Sequence, residues 1–127
     1  MLKSSLPKFL FETIGTCFLT MFFTSLSQTV ILTALTVITI FTWKISGSHF
    51  NPAITLAHML KKGNKKMPAV LGVFYILSQI LGAFLGAMLV NFYTLNLPRL
   101  IFYDSFFLRA LLNEGLGSFF LVVFVLI

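Results

Sequence analysis

Charged residues are scarce in this chain. Of its 127 residues, 9% are Asp, Glu, Lys or Arg, whereas a soluble domain carries about 25%. So few cannot build a surface that faces water on every side, which excludes an ordinary soluble enzyme. Acidic residues are the scarcest: Glu12, Asp104 and Glu114 stand against nine Lys and Arg. No arrangement of nucleophile, base and oxyanion donors is legible, nor any metal constellation, so neither an enzyme nor a cofactor is expected. Cysteine occurs once, at Cys17, which excludes an internal disulfide and a thiolate cluster. The low hydrophobicity of disordered chains is missing as well, since 58% of residues are hydrophobic. A net charge of +6 would point to nucleic acid in a soluble protein. Here it is read as a membrane-orientation signal, with no nucleic-acid partner.

What the chain has is long apolar runs. Four of them, at about 9–26, 29–45, 69–90 and 108–127, approach the 17 to 25 or so helical residues that a bilayer core requires. The first is read as a retained span and not a signal peptide, because Glu12 interrupts it and no small-x-small cleavage site follows. Residues 25–29 make a short link, read as a tight helical hairpin, and 91–107 reads as an external crossover. Lys3, Lys8, Lys44, Lys61, Lys62, Lys65 and Lys66 lie on one side of this layout, and only Arg99 and Arg109 on the other. The excess places the N-terminus and the 46–68 loop on the cytoplasmic or equivalent side. The sequence does not name the membrane. The four lysines at 61–66 also suit contact with lipid headgroups.

One segment does not fit a plain loop. Ser46-Gly47-Ser48-His49-Phe50 reads as irregular backbone, and Asn51-Pro52 as a helix start, with Asn a favoured N-cap and Pro suited to the first turn. The helix would run over 52–60, nine residues, or about 13 Å, half the depth of a bilayer. Two readings fit. In one the helix is interfacial and Asn51-Pro52 is only a cap. In the other it re-enters the membrane, which irregular backbone tolerates only where protein or a water-filled cavity surrounds it. A half-helix of that kind aims free N–H groups and a partial positive charge at the midplane, disfavouring cations and protons. Backbone carbonyls ahead of it would offer a ladder of acceptors to water or a small neutral solute.

Residues 45–57, from Ile45 through Asn51-Pro52-Ala53 to Ala57, resemble the first Asn-Pro-Ala loop of the aquaporins, the major intrinsic protein family. Glu12-x-x-Gly15-Thr16 resembles the family's first helix, and Tyr75-x-x-x-Gln79-x-x-Gly82-Ala83-x-x-Gly86-Ala87 its third. There is also an internal repeat. Glu12-Thr13-Ile14-Gly15-Thr16 parallels Glu114-Gly115-Leu116-Gly117-Ser118 at an offset of 102 (114 minus 12). Three crossings between the two starts make it an inverted repeat, a mark of transport folds.

The resemblance implies an all-α membrane protein, an aquaporin-like half in one membrane domain. Residues 1–107 would form the first repeat, with three transmembrane helices and the re-entrant half-helix 52–60. Residues 108–127 would be the fourth transmembrane helix, opening the second repeat. It further implies a pore wall from Gly47, Ser48, His49, Phe50, Asn51, Pro52 and Ala53. Asn51 would be the donor at the tip, and Pro52 and Ala53 would order that tip. Ile31 falls near a selectivity position by counting back from Asn51, although water channels often carry an aromatic there. Glu12 and Glu114 would brace re-entrant loops, and Gly82 and Gly86 would pack helices.

Residues 1–127 contain no second Asn-Pro-Ala and no arginine following one. A single-file channel for water or small neutral solutes therefore expects a second half-channel, from further residues or from another chain. The other reading is a non-conducting structural subunit, packed among other membrane subunits of a larger complex. The lipid bilayer is a partner in both, and a homo-oligomer is a family expectation. Thr13, Thr16, Thr20, Thr24 and Ser27 share one helix face, either lining water or bonding across helices and to their own backbone.

Overall fold

A computed structural model describes residues 2–25, 28–61, 67–94 and 104–127. It contains five helices in order: α1 (Leu2–Ser25), α2 (Gln28–Thr42), α3 (Pro52–Leu60), α4 (Ala69–Thr94) and α5 (Asp104–Leu126). No strand occurs among the described residues. Leu26 and Ser27 of the expected hairpin link, Lys62, Lys65, Lys66 and Arg99 lie outside the described residues. So do the side chains of Lys3, Thr24 and Arg109.

The helices overrun or fall short of the apolar runs. Helix α1 begins at Leu2 and carries Pro7 within it, not at about residue 9. Backbone hydrogen bonding does not stop where hydropathy falls, and Pro7 removes only one donor. Helix α2 stops at Thr42, short of residue 45. Trp43–Ser46 continue as hydrogen-bonded turns, with Ser46 N–H reaching Thr42 O at 2.9 Å and Gly47 N–H reaching Trp43 O at 3.1 Å. Helix α4 extends to Thr94 and α5 starts at Asp104.

Helix α2 is rich in β-branched residues, which are mediocre helix formers in water. An apolar environment reverses the balance, because a helix satisfies its own backbone. Its threonines follow the same logic. Thr33, Thr36 and Thr42 donate to the carbonyls of Thr29 (3.0 Å), Leu32 (2.9 Å) and Ile38 (2.8 Å), so no hydroxyl on this list is stranded.

Helices α1 and α4 form the main packed pair. At Gly82 an added Cβ would stand 2.3 Å from Thr13 O, and at Gly86 2.5 Å from Cys17 O. The two backbones meet so closely that only glycine fits there. Thr13 Oγ1 donates across the pair to Ser78 O at 3.1 Å, and Thr20 Oγ1 to its own helix at Thr16 O, 3.0 Å. Helix α3 packs on α4 and α5, and α2 on α1.

The distribution of polarity is inverted relative to a soluble protein. Ile40, Phe41, Phe84, Phe92 and Phe124 are exposed, while the largest fully buried side chains are Tyr75, Gln79, Glu12 and Thr55. Polar side chains inside and apolar ones outside are what a chain in lipid requires. Among the described residues one helix, over Ala69–Tyr93, is long and apolar enough to cross a membrane. Thr29–Thr42 and Glu114–Phe124 are shorter apolar helices.

Candidate functional site: the loop ahead of α3

The segment between α2 and α3 is an ordered loop of uncommon backbone. Gly47, Ser48 and Phe50 have φ of 90°, 52° and 49°. Positive φ is ordinary for glycine but costs a residue with a Cβ, so the surroundings must hold it. Ser48 is held from α2: its Oγ lies 2.5 Å from Thr42 Oγ1 and donates to Thr39 O at 3.2 Å. Its N–H donates to Ser46 Oγ at 3.1 Å. Phe50 is held from α1, where its ring lies over Gly15. A Cβ there would stand 2.1 Å from the ring.

Glu12 ties the loop to α1. It is completely buried. Its Oε1 accepts from His49 N–H at 3.0 Å, and its Oε2 from Phe50 N–H at 2.7 Å and Gln79 Nε2 at 2.8 Å. A carboxylate with three donors is the arrangement under which such a group is tolerated in a dry interior. Gln79 Nε2 also reaches Thr55 Oγ1 at 3.0 Å, and His49 Nδ1 lies 3.1 Å from the same oxygen. Tyr75 donates to Ser46 O at 2.6 Å. One network therefore joins α1, α3, α4 and the loop.

At its far end the loop starts α3. Asn51 is the N-cap with extended backbone, Pro52 opens the first turn, and Asn51 Oδ1 accepts from Ala53 N–H at 2.8 Å. The Asn51 carbonyl accepts from Thr55 N–H at 3.1 Å and Thr55 Oγ1 at 3.2 Å. The amide oxygen is thus turned inward to the helix, which leaves Nδ2 without a partner among the described residues. The carbonyls of Ser46 and Asn51, at the two ends of the loop, are both paired. Those of Gly47, Ser48, His49 and Phe50 between them accept no hydrogen bond from any described residue.

Gly47 through Ala53 thus form one continuous element joined to Glu12. Ile31 is buried in α2, about three turns before that helix ends at Thr42. Glu114 stands exposed on α5, and Gly82 and Gly86 lie at the α1–α4 contact. Tyr75 and Gln79 stood in the sequence only as parts of a family pattern, and Thr55 not as a candidate. The signal that finds them is a polar side chain with a costly donor inside an apolar run, which obliges a partner. His58 of α3 stacks on His49 with ring centroids 4.5 Å apart and 12° between planes.

The chain matches the family model of the major intrinsic proteins over residues 3–126. It belongs to the major intrinsic protein family. Membership places it among integral membrane proteins. It is 46% identical over 50 residues to a probable aquaporin TIP2-2 of Oryza sativa subsp. japonica, across 39% of this chain and 19% of that protein. It is 42% identical over 55 residues to aquaporin-1 of Rhizophagus irregularis, across 42% of this chain and 20% of that one. The matched stretch thus spans about a fifth of each curated relative. No solved structure matches the chain significantly.

Proposed function

We propose that the chain supplies half of a membrane channel for water or small neutral solutes. In this reading α1, α2 and α4 cross the bilayer and α3 re-enters it, completing a first repeat over 1–107, and α5 opens a second over 108–127. The N-terminus and the 46–68 loop face the cytoplasmic or equivalent side, as the lysine excess indicates. The relatives' far greater length supports a second half-helix, from a continuation of this chain or from another chain.

The observation that carries the reading is the row of four carbonyls at Gly47 to Phe50, which accept from no described residue, between two paired neighbours. Backbone carbonyls seek a donor, and a permeant that donates hydrogen bonds is a partner that need not stay. Water would pass them in single file. At Asn51 it meets a side-chain N–H at the positive end of α3, which donates to the water oxygen and discourages a travelling proton. Pro52 and Ala53 shape that tip. Ile31 is assigned to the pore wall by its count from Asn51 alone. Glu114 would brace a second loop as Glu12 braces the first.

The test is osmotic swelling of proteoliposomes containing the conducting assembly. Asn51→Asp replaces the donor end with charge and should slow swelling on the order of tenfold, about 1.4 kcal/mol on the barrier. Unchanged swelling, with the chain co-purifying stably in a larger complex, would favour the structural-subunit reading instead.

A further inference from the structure

Phe50 is gripped twice by one face of α1. Glu12 and Gly15 stand three residues apart, neighbours on the helix surface. Glu12 Oε2 accepts from the Phe50 N–H at 2.7 Å. The Phe50 side chain is buried, 6% exposed, and its ring fills the space that Gly15 leaves by having no side chain. A Cβ at Gly15 would stand 2.6 Å from the ring's Cζ and 2.7 Å from its Cδ1. We propose that Gly15 is a positioning residue for the loop: the seat it leaves for the Phe50 ring aims the Phe50 carbonyl, the last of the row before Asn51.

Peptide planarity gives the directions. In a trans peptide the C=O points opposite to the N–H of the following residue, and no cis bond occurs among the described residues. The N–H groups of His49 and Phe50 both point at Glu12. The carbonyls of Ser48 and His49 therefore point away from that carboxylate. Glu12 alone thus settles two members of the row. It does not settle the Phe50 carbonyl, which belongs to the next peptide. The place of that group depends on how Phe50 is turned about its N–Cα bond, a φ of 49° in a region that costs a residue with a Cβ. A hydrogen bond at the N–H leaves that turn free. The seated ring is a second grip, off the N–H axis, and removes it. Asn51, fixed as the N-cap of α3, holds the following peptide from the other end. A methyl at position 15 would push the ring off its seat and swing the Phe50 carbonyl with it. Gly72 is the contrast. A Cβ there would stand 2.7 Å from Met59 Cγ, but a thioether chain is flexible and moves aside.

The consequence for permeation rests on the channel reading: with its last carbonyl turned, the row no longer hands the permeant to Asn51. Two readouts keep the failures distinct. Phe50-Asn51 is the single Phe-Asn pair in the chain. Heavy-isotope labels on Phe carbonyls and Asn amides therefore give one correlated NMR peak, from the peptide in question. It is recorded for the full chain in lipid nanodiscs as wild type, Gly15→Ala and Gly72→Ala. The seat predicts a displaced peak in Gly15→Ala and an unmoved one in Gly72→Ala. An unmoved peak in Gly15→Ala overturns it. Should Gly15→Ala not fold, Phe50→Leu is added to it, since leucine lacks the Cζ and Cε ring atoms that meet the new methyl. Folding restored in the double variant supports the seat, and failure of both overturns it. The second readout is proteoliposome swelling. Gly15→Ala should swell roughly fivefold more slowly than a conducting wild type, with the loss partly recovered on adding Phe50→Leu and absent in Gly72→Ala. A displaced peak with wild-type swelling overturns the link from the seat to permeation. A displaced peak with no swelling in any of the proteins supports the seat and refutes the channel.

Discussion

Glu12 and Glu114 begin the same short motif, Glu-x-x-Gly, in two helices, yet their surroundings are opposite. Glu12 is fully buried and accepts from His49, Phe50 and Gln79. Glu114 is exposed, and nothing lies within 4 Å of a Cβ added at its neighbours Gly115 or Gly117. The same letters carry different work because a carboxylate's role is set by the donors the fold delivers to it. In α1 those donors come from a loop nearly forty residues on and from the middle of α4. The α5 copy has no such loop among the described residues.

The comparison can be broken most severely at the acids themselves. Glu12→Gln leaves an amide N–H₂ facing backbone donors and should cost about 2–4 kcal/mol of stability, read as a lowered thermal midpoint in detergent. Glu114→Gln should stay within about 0.5 kcal/mol. The glycines sharpen it next. Gly82→Ala drives a methyl against the Thr13 carbonyl and should destabilise by about 1–3 kcal/mol. Gly115→Ala meets open space, replaces a weak helix former and should stabilise by about 0.5–1 kcal/mol, so the two substitutions differ in sign. Among the tyrosines, Tyr75→Phe leaves the Ser46 carbonyl without its donor and should cost about 1–2 kcal/mol. Tyr93→Phe, on the exposed face, should change melting little.

Much of this architecture was legible in the sequence because it is local. The Asn51-Pro52 start and the end at Leu60 need only capping chemistry, and α3 occupies Pro52–Leu60. Packing at Gly82 and Gly86 was expected from the resemblance, and the two glycines lie where α1 and α4 approach each other. The ends of α1, α2, α4 and α5 were less legible, because hydropathy marks where a helix is apolar and not where its hydrogen bonds stop. Pro7 is the clearest case, lying inside α1 where a boundary would be drawn. The network at the loop was legible only in outline: the resemblance assigns Glu12 to a re-entrant loop, but nothing local names His49, Phe50 or Gln79. The positive φ of Ser48 and Phe50 was not legible at all, since it is imposed by Thr39, Thr42 and Glu12 across distances that no short pattern spans.

The central claim is that Glu12 holds the loop in the shape that turns its carbonyls free. The most direct measurement is amide hydrogen exchange at His49 and Phe50, in the wild-type chain, Glu12→Gln and Glu114→Gln. Both amides should be protected in the wild type and in Glu114→Gln, and at least one should open in Glu12→Gln. Equal exchange of these amides in all three proteins would contradict the account.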